Sequence, residues 1–494
     1  MLVTAPANVH MSPVMPRAPI MILGCSSDAG KSFLVTALCR HFSNRGLRVA
    51  PFKAQNMSNN AAVTPDGLEI GRAQYLQALA ARTVPQARMN PILLKPSADT
   101  YSQVIVMGRF DPKITEMPWG QRKPHLWPVV RDALHSLLRD HELVVIEGAG
   151  SPAEVNLHDG DLVNMRVALE CRADVYLVAD IDRGGAFAHL LGTWMCLPPE
   201  EQALIRGFVL NKFRGDPALL GNAMDWLQER TRVPTVAIVP YLRHNLPEED
   251  TFHYRSRPAA GEINIALIVY PYASNFDEFD PLVCENGVNI VPIRDFASLS
   301  DYQAIILPGS KNTAESLRYL RQTGLADELK NAAARGAPIF GVCGGMQLLG
   351  RQVLDPGALE GGDIDGLGLL DVTTTLKPHK TTQQCEALWL EGATVRGYEI
   401  HHGQTTAGPK AQPHLDCGLG WQQGNVCGVY LHGLLQNTTY RQHFLERLGW
   451  KGKARDWAAF VDGEIERAAA WIEQSGWKLH VEHVSPQAPP VEAS

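Results

Sequence analysis

Residues 19–42 carry the residue types that hold a nucleotide phosphate. An apolar stretch ending at Gly24 is followed by a polar loop that closes with Gly30, Lys31 and Ser32, and then by apolar positions at helical spacing. Such a strand, loop and helix turn successive backbone N–H groups toward the positive end of the helix. Lys31 would reach the outer phosphates, and the Ser32 hydroxyl would ligate Mg²⁺. The stretch predicts a phosphate-binding loop, with a chance helix start as the alternative interpretation.

A second candidate site surrounds Cys343. This cysteine follows a short apolar stretch, is flanked by glycines, and precedes a helix-like stretch that contains Gln347. Small neighbours permit a tight turn that projects a nucleophile at a helix N-terminus, and backbone N–H groups after it can hold an oxyanion. A glycine turn at Gly309 and Ser310 could supply another donor. The pattern favours a thiolate nucleophile for acyl chemistry.

A cysteine nucleophile needs a base, and His432 is the leading candidate. It ends an apolar stretch that begins at Gly428 and would support the imidazole rigidly. His401 and His402 offer two other imidazoles. A lone histidine at a strand end is more often structural, but the cysteine turn upstream favours His432 as the base.

Ionisable and amide side chains end several stretches that are predicted to be strands. Lys53 and an amide-rich run at residues 54–60 follow one of them, Glu147 ends another, and Asn211 ends a third. Because ligands bind at the carboxyl ends of strands in doubly wound sheets, these side chains are expected beside the phosphates. Glu147 takes the position of an acid that contacts Mg²⁺ or its waters. The amide-rich run could also be a solvated loop.

Two series of strand and helix patterns divide the chain of 494 residues. The predicted segments are a tail at 1–17, a nucleotide-binding synthetase domain at 18–246, a linker at 247–261, a second domain at 262–450, and a C-terminal helix with a disordered tail at 451–494. Strands that alternate with helices predict parallel sheets. We therefore expect an α/β fold, with a doubly wound, mostly parallel P-loop sheet followed by a second α/β domain.

Composition argues against several classes of partner and location. The formal net charge of −7 disfavours nucleic acid or an anionic membrane as the main partner. No apolar run approaches the length of a membrane-spanning helix, and the N-terminal stretch is a poor signal peptide. Nine cysteines without a C-x-x-C pair are typical of a reducing cytoplasm. We expect a cytoplasmic enzyme with small-molecule substrates.

The phosphate-binding loop resembles that of dethiobiotin synthetase and its relatives. Five residues separate Gly24 from Gly30, one more than in the usual pattern. A ParA-like partitioning ATPase fits less well, because Ser26 stands where those proteins have a second lysine. The resemblance implies phosphorylation of a carboxylate-type oxygen by ATP. The ATP-binding residues are then Ser27, Asp28, Gly30, Lys31, Ser32, Lys53 and Asn211, the last at the adenine, and the Mg²⁺ ligands are Ser32, Glu147 and Glu69.

The second site resembles class I glutamine amidotransferase domains. The resemblance is carried by the cysteine turn, by Leu307–Thr313 and by Tyr430–Gly433. It implies that Cys343 attacks the glutamine amide, that a thioester forms, and that ammonia leaves. The residues implied at the glutamine and its oxyanion are Gly309, Ser310, Gly344 and Gln347.

One position departs from the amidotransferase pattern. Most such domains have a glutamate two residues after the catalytic histidine, whereas this chain has Leu434 there. The group that orients His432 therefore stays open, with Glu399 as one candidate.

Segments in both domains together resemble the cobyric acid synthase family, over residues 18–450. They are Pro51–Ser58, Glu147–Glu154, Ala179–Gly185, Leu307–Thr313 and the cysteine turn. The resemblance implies amidation of the b, d, e and g carboxylates of adenosylcobyrinic acid a,c-diamide through an acyl phosphate. It implies ATP, Mg²⁺ and L-glutamine and no tightly bound organic cofactor, and it leaves the oligomeric state open.

Two alternatives remain open at this point. A ligase for another polycarboxylate, such as a less amidated corrinoid or a cell-wall precursor, would use the same two sites. A non-catalytic ATPase switch, whose second domain only binds a partner, would need neither Cys343 nor His432.

Overall fold

The structure is a computed structural model that describes residues 17–98, 101–247, 254, 257–259, 261–390, 392–477 and 479. Almost all of the predicted N-terminal tail, most of the predicted linker and the C-terminal tail lie outside these residues. Among the helices it describes, none is long and apolar enough to cross a membrane.

The first half of the molecule comprises the elements from Ile20 to Pro240. Its strands are β1 (Ile20–Gly24), β2 (Val49–Phe52), β3 (Gln55–Met57), β4 (Ala61–Val63), β5 (Glu69–Gly71), β6 (Ile92–Ala98), β7 (Tyr101–Val106), β8 (Arg109–Phe110), β9 (Leu143–Glu147), β10 (Asp174–Asp180), β11 (Ile205–Phe213) and β12 (Thr235–Pro240). Its helices are α1 (Lys31–Asn44), α2 (Arg72–Ala80), α3 (Pro112–Glu116), α4 (Trp119–Asp140), α5 (Met165–Cys171), α6 (Ala186–Met195), α7 (Pro199–Gln202) and α8 (Ala223–Thr231).

A parallel sheet forms the core of the first half. In the described residues its strand order is β12-β11-β10-β1-β9-β2, and every neighbouring pair is parallel. The central strands β1 and β9 are buried along their whole length, as parallel strands covered by helices on both faces must be. The carboxyl ends of β1, β2, β9 and β11 therefore meet at one edge, and the predicted doubly wound sheet is confirmed.

The amide-rich run at residues 54–60 contains a short strand and is not simply a solvated loop. Residues Gln55–Met57 are β3, which pairs in parallel with β6 in a small sheet of order β3-β6-β7-β8. The short strands β4 and β5 pair with each other, which places Glu69 on a strand just before helix α2. These small sheets lie between the parallel sheet and the second half of the chain.

The second half comprises the elements from Ile263 to Arg447, and one further helix follows it. The strands are β13 (Ile263–Ile268), β14 (Ala273–Ser274), β15 (Val288–Ile293), β16 (Ala304–Leu307), β17 (Gly309–Ser310), β18 (Ile339–Val342), β19 (Gln352–Leu354), β20 (Ile364–Asp365), β21 (Val372–Leu388), β22 (Thr394–Ala407), β23 (Gln412–Leu415), β24 (Gly420–Gln423) and β25 (Val426–Val429). The helices are α9 (Asp280–Val283), α10 (Thr313–Gln322), α11 (Leu325–Ala334), α12 (Gly344–Leu349), α13 (Thr438–Arg447) and the further helix α14 (Trp457–Gln474).

A second sheet, of order β15-β13-β16-β18-β25-β24-β23, forms the core of the second half. The strands from β15 to β25 pair in parallel, and β24 and β23 add an antiparallel edge. The predicted second α/β domain is confirmed. Cys343 directly follows the carboxyl end of β18, next to the end of β25 that leads to His432.

A long antiparallel hairpin, β21 with β22, joins the two halves. The sequence patterns did not predict this hairpin. One apolar cluster contains side chains of both halves, namely Ala61, Val63, Leu93, Ile105, Tyr398 and Ile400. Since burial of apolar surface is the main favourable term in association, the hairpin helps to hold the halves together.

Helix α14 packs back onto α1 of the first half. Its apolar side chains enter the same cluster as those of α1, including Leu34, Val35, Leu38, Val461, Ile465 and Ile472. Arg40 of α1 is only 1% exposed and donates hydrogen bonds to Asp462 and Glu466, each at 2.7 Å. A buried guanidinium is tolerated when carboxylates pair with it, so these contacts fix α14 on α1.

Candidate active sites

The predicted phosphate-binding loop, residues 24–32, connects β1 to α1. Gly30 has a φ of 91°, and a Cβ there would lie 2.2 Å from Nδ2 of Asn211, so both backbone conformation and space require glycine. The Lys31 ammonium donates to the carbonyl oxygens of Ser26 at 3.1 Å and Gly150 at 3.2 Å. Helix α1 begins at Lys31, so its first N–H groups face the loop without partners inside the helix.

Ser32, Lys53 and Glu147 meet beside this loop. The Glu147 carboxylate accepts a hydrogen bond from the Ser32 hydroxyl and another from the Lys53 ammonium, both at 2.9 Å. Its other oxygen accepts from Gln77 at 2.5 Å. Burial acts to raise the pKa of Glu147, but the Lys53 charge and the hydrogen bonds from Lys53, Gln77 and Ser32 together hold that pKa below its ordinary value. The structure thus brings a carboxylate and a hydroxyl together beside the loop, and such oxygen donors are the ligands that hard cations prefer.

Glu69, the third residue predicted to bind Mg²⁺, lies apart from this group and does not line the cavity of the phosphate loop. Its carboxylate forms ion pairs with Lys95 and with Lys380 of the hairpin, and it is buried. Burial acts to raise the pKa of Glu69, but Lys380 and Lys95 lower it well below its ordinary value. The carboxylate is committed to two lysines at the boundary between the halves.

The other predicted nucleotide residues lie around the loop. Asn211 lies near the carboxyl end of β11. Its side-chain amide donates a hydrogen bond to the Ala29 carbonyl at 2.8 Å and so holds the phosphate-binding loop in place. The Asp28 carboxylate forms an ion pair with the Arg183 guanidinium at 3.2 Å. Ser27, Asp28, Gly30, Lys31, Ser32, Lys53 and Asn211 all line one cavity.

This cavity has a volume of about 1400 Å³. It continues from the loop past Gln55, Asn56 and Met57 of β3 to Trp119 at the start of α4. Pockets for single small ligands usually measure about 300–1,000 Å³, so this one has room for a nucleotide and a second, large ligand.

Cys343 lies in a strained turn between β18 and α12. Its φ of 50° and ψ of −108° are unusual for a residue with a side chain. A Cβ on Gly344 would come 2.5 Å from the Ser310 nitrogen, and one on Gly345 would come 2.0 Å from the Leu307 oxygen. Glycine at both positions lets the start of α12 lie against the turn at 307–310.

Cys343, Gln347, Ser310 and His432 line one small pocket, as the sequence predicted for neighbours around a glutamine. The Gln347 amide donates to the Tyr430 hydroxyl at 3.3 Å. The Ser310 hydroxyl lies 2.9 Å from that of Ser316. Gly309 pairs with β14 beside the pocket, so every residue predicted for this site lies in it or next to it.

Glu278 and Asn275 contact the imidazole of His432. Its Nδ1 lies 3.2 Å from Oε1 of Glu278 and 3.3 Å from Nδ2 of Asn275, and it is only 1% exposed. Burial acts to lower the pKa of His432, but the Glu278 charge and the neighbouring Cys343 outweigh it and raise that pKa to about 10. Among the described residues, its Nε2 has no hydrogen-bond partner, which leaves this nitrogen available to the thiol or to a substrate.

Glu399, the candidate orienter named from the sequence, pairs with a different histidine. Its carboxylate lies 2.9 Å from Nε2 of His401 and accepts from Gln383 at 2.7 Å. The carboxylate that contacts the His432 imidazole is that of Glu278, which the sequence analysis did not identify. The available signal was the acidic pair Asp277–Glu278 shortly after the first strand of the second half.

A buried nucleophile, an imidazole and a carboxylate in this order can perform acyl transfer at an amide.

At the phosphate-binding loop, burial lowers the pKa of the Lys31 ammonium, whose charge lies beside Glu147. A phosphate loop with lysines and an acid can position a nucleotide for phosphoryl transfer.

Two protein families match this chain, one in each half. The family described as "CobQ/CobB/MinD/ParA nucleotide binding domain" matches residues 20–251. The family described as "CobB/CobQ-like glutamine amidotransferase domain" matches residues 264–440.

Relatives named cobyric acid synthase match over most of their length. The one from Deinococcus radiodurans is 55% identical over 443 residues, which cover 86% of this chain and 92% of the relative. The one from Paracidovorax citrulli is 52% identical over 448 residues, covering 85% and 90%. A solved glutamine amidotransferase structure covers 38% of this chain and 99% of its own at 20% identity and a TM-score of 0.31, too distant to add to this evidence. The chain belongs to the cobyric acid synthase family of glutamine-hydrolysing ligases.

Proposed function

We propose that this protein converts adenosylcobyrinic acid a,c-diamide into adenosylcobyric acid by amidating its b, d, e and g carboxylates with ATP and L-glutamine. Membership of the family supports amidation of a corrinoid in cobalamin biosynthesis. The observation that supports the detailed reaction is the presence, in one chain, of a phosphate loop beside Glu147 and a cysteine turn beside His432. The reaction belongs to the cytoplasm, where catalytic thiols stay reduced.

The first half activates the acceptor carboxylate. Direct attack of ammonia on a carboxylate would have to expel oxide, which is a very poor leaving group. In the proposed reaction the carboxylate oxygen attacks the γ-phosphorus of ATP, so that ADP leaves and an acyl phosphate forms. Ammonia then attacks the acyl carbon, inorganic phosphate leaves, and the amide nitrogen loses a proton. Lys31 and Lys53 supply positive charge beside the transferring group.

The Ser32 hydroxyl and the Glu147 carboxylate would hold Mg²⁺. They are hard oxygen donors, they lie 2.9 Å apart, and both line the cavity of the phosphate loop. When bound, the ion supplies neutralisation of charge on the nucleotide phosphates. Lys53 holds Glu147 in its ionised form, the form that a cation needs.

The second half releases ammonia from glutamine. The Cys343 thiolate attacks the carboxamide carbon, and the N–H group of Gly344, together with the turn at 309–310, stabilises the oxyanion. His432 gives its proton to the departing ammonia, which leaves a thioester. Water then attacks the thioester with His432 as base, so glutamate leaves and the thiol is regenerated. Glu278 keeps the imidazole in place and charged.

Product analysis tests the substrate and isotope transfer tests the intermediate. With ATP, Mg²⁺, glutamine and the diamide, mass spectrometry should show four successive conversions of a carboxylate into a carboxamide. If the substrate carboxylates carry ¹⁸O, one labelled oxygen per amidation should appear in inorganic phosphate. Unlabelled phosphate would overturn the acyl-phosphate route. Amidation of a different polycarboxylate, with the diamide left unchanged, would overturn the substrate assignment.

A further inference from the structure

A single stretch of the first half reaches from the phosphate site to the catalytic imidazole of the second half. It begins at Lys53, which pairs with Glu147, and continues through β3, whose residues line the large cavity. It ends at Asn60 and Ala61, which are 7% and 0% exposed. These last two residues contact Asn275, the neighbour of the His432 imidazole.

Asn60 and Ala61 hold Asn275 at two points. The Asn275 backbone N–H donates to Oδ1 of Asn60 at 2.6 Å, and the Ala61 backbone N–H donates to Oδ1 of Asn275 at 3.0 Å. Asn275 has a φ of 57°, a left-handed conformation that residues with side chains adopt when their surroundings compensate the strain. With its oxygen fixed on Ala61, the amide nitrogen of Asn275 lies 3.3 Å from Nδ1 of His432 as a packing contact, because the Nδ1 proton of the charged imidazole is donated to Glu278.

Ala61 holds a second neighbour of the imidazole. Its carbonyl accepts a hydrogen bond from the Tyr398 hydroxyl at 3.0 Å. The Tyr398 ring stacks on the His432 ring with centroids 5.2 Å apart and planes 15° apart. The two residues also exchange backbone hydrogen bonds at 2.9 and 3.2 Å. Residues 60 and 61 therefore hold two neighbours of the imidazole, the Asn275 amide and the stacked Tyr398 ring.

An ion pair fixes the turn that carries Glu278. Asp277, adjacent to Glu278, pairs with Arg72 of helix α2 at 2.6 Å, and the Asp277 side chain is 2% exposed. Arg72 belongs to the first half and its backbone N–H donates to the Asn60 carbonyl at 3.3 Å. Each group that contacts the imidazole on its Nδ1 side is thus braced by the same small region of the first half.

We propose that Asn60 of the first half is a positioning residue for glutamine hydrolysis in the second half, acting through Asn275 on the orientation of His432. This role depends on the glutaminase reaction proposed above. Asn60 touches no reacting atom. It accepts the hydrogen bond that fixes the Asn275 backbone, and the Asn275 side chain in turn restricts the imidazole. Small displacements of a catalytic base are costly, because proton transfer demands alignment within fractions of an ångström.

The test compares full-length variants in glutamine hydrolysis without a corrinoid. Asn60→Ala removes the acceptor for the Asn275 N–H and should lower kcat for hydrolysis about tenfold, with KM for glutamine unchanged. It should also shift the pH profile of kcat, since the contacts of the His432 imidazole, which influence its pKa, change. Asn60→Asp keeps an acceptor oxygen and should recover most of the loss. Asn59→Ala is the matched control, because Oδ1 of Asn59 makes no hydrogen bond within the described residues.

Ammonia-dependent amidation separates positioning from damage to the fold. Asn60→Ala should keep wild-type ammonia-dependent synthesis, because that route does not use His432. Tyr398→Phe provides a second variant, which removes only the bond to the Ala61 carbonyl and should lower kcat less than Asn60→Ala does. Wild-type hydrolysis by Asn60→Ala, or an equal loss of hydrolysis and ammonia-dependent synthesis, would overturn the positioning role. Wild-type protein that hydrolyses glutamine but never amidates the diamide would instead overturn the proposed function alone.

Discussion

The cavity at the phosphate loop and the pocket at Cys343 differ greatly in size. The first measures about 1400 Å³, whereas the second measures about 20 Å³, which is space for about one water molecule. Nucleotide and acceptor can enter the first as it stands. Glutamine is much larger than one water, so we infer that the second must open to admit it. In the proposed reaction the open site would take the bulky acceptor, and the closed site would retain ammonia, a small product.

The two sites also differ in their origin along the chain. The phosphate loop and its neighbouring charged side chains come from the ends of parallel strands of the first half, although Val288, Asn289 and Ile290 of the second half also line the same cavity. The Cys343 pocket is lined by the second half but includes Gln103 of β7, and its imidazole is braced through Asn60. Glutamine hydrolysis should therefore respond to changes in either half, whereas carboxylate activation should not need the cysteine.

Loss of the nucleophile is expected to separate the two sites most completely. Cys343→Ala should lower glutamine-dependent synthesis on the order of 10⁴-fold or more, since no thioester can form. Ammonia-dependent synthesis should continue at the wild-type rate, measured as amidated corrinoid by mass spectrometry. Loss of both routes would contradict independent sites.

Loss of the loop lysine is expected to affect synthesis from both nitrogen sources. Lys31→Ala removes a charge beside the transferring phosphoryl group and should lower both routes on the order of 10³-fold. Glutamine hydrolysis without a corrinoid serves as the control and should be retained. Full synthetic activity in this variant would remove the phosphate loop from the mechanism.

The two candidate orienters of His432 can be compared directly. Glu278→Gln keeps the shape of the side chain but removes its charge, and should lower kcat for glutamine hydrolysis on the order of 10²-fold. Glu399→Gln is the matched control and should have a clearly smaller effect, because Glu399 pairs with His401. Equal effects of the two substitutions would contradict the assignment of Glu278.

The pH profile of glutamine hydrolysis tests the direction in which Glu278 shifts the pKa of His432. Burial alone would lower the pKa of His432, and the Glu278 charge together with the neighbouring Cys343 raises it to about 10. Without that charge the imidazole should lose its proton at lower pH. The alkaline limb of kcat in Glu278→Gln should therefore move to lower pH, and a shift to higher pH would contradict the proposed pairing.

The smallest predicted effect is on stability alone. Gly463 lies in the middle of α14, has an ordinary helical φ, and a Cβ there would meet no atom within 4 Å. Gly463→Ala should stabilise the protein by about 0.5–1 kcal/mol, because alanine loses less backbone entropy in a helix. Thermal unfolding should show a small rise in Tm with both activities unchanged; a fall in Tm would contradict the helical environment.

Local patterns were sufficient to predict the parallel sheets, the phosphate loop and the cysteine turn. Each depends on short-range features: apolar runs that form buried strands, and glycines where backbone groups approach closely, as at Gly30 and Gly344. His432 was also found, because an apolar stretch ending in histidine lies downstream of the cysteine turn; in the structure, the strand β25 that leads to it neighbours β18, which leads to Cys343.

The errors concern contacts between distant parts of the chain. The pairing of Glu69 with Lys380 was not predicted, because the two residues lie 311 positions apart along the chain. Glu278 was missed because it lies 154 residues from His432, with no spacing that relates the two. The hairpin β21–β22, which carries Lys380 and Tyr398, has mostly polar residues, so its burial against the first half leaves little periodic signal.

The packing of α14 on α1 has a consequence for biosynthesis of the polypeptide. The Arg40 guanidinium and the apolar face of α1 are covered by residues that leave the ribosome more than 400 positions later. We expect the emerging nucleotide-binding region to remain incompletely protected until α14 has been synthesised, which protease digestion of stalled nascent chains would measure. Maturation of the nucleotide-binding half is thereby coupled to synthesis of helix α14, which follows the second half in the chain.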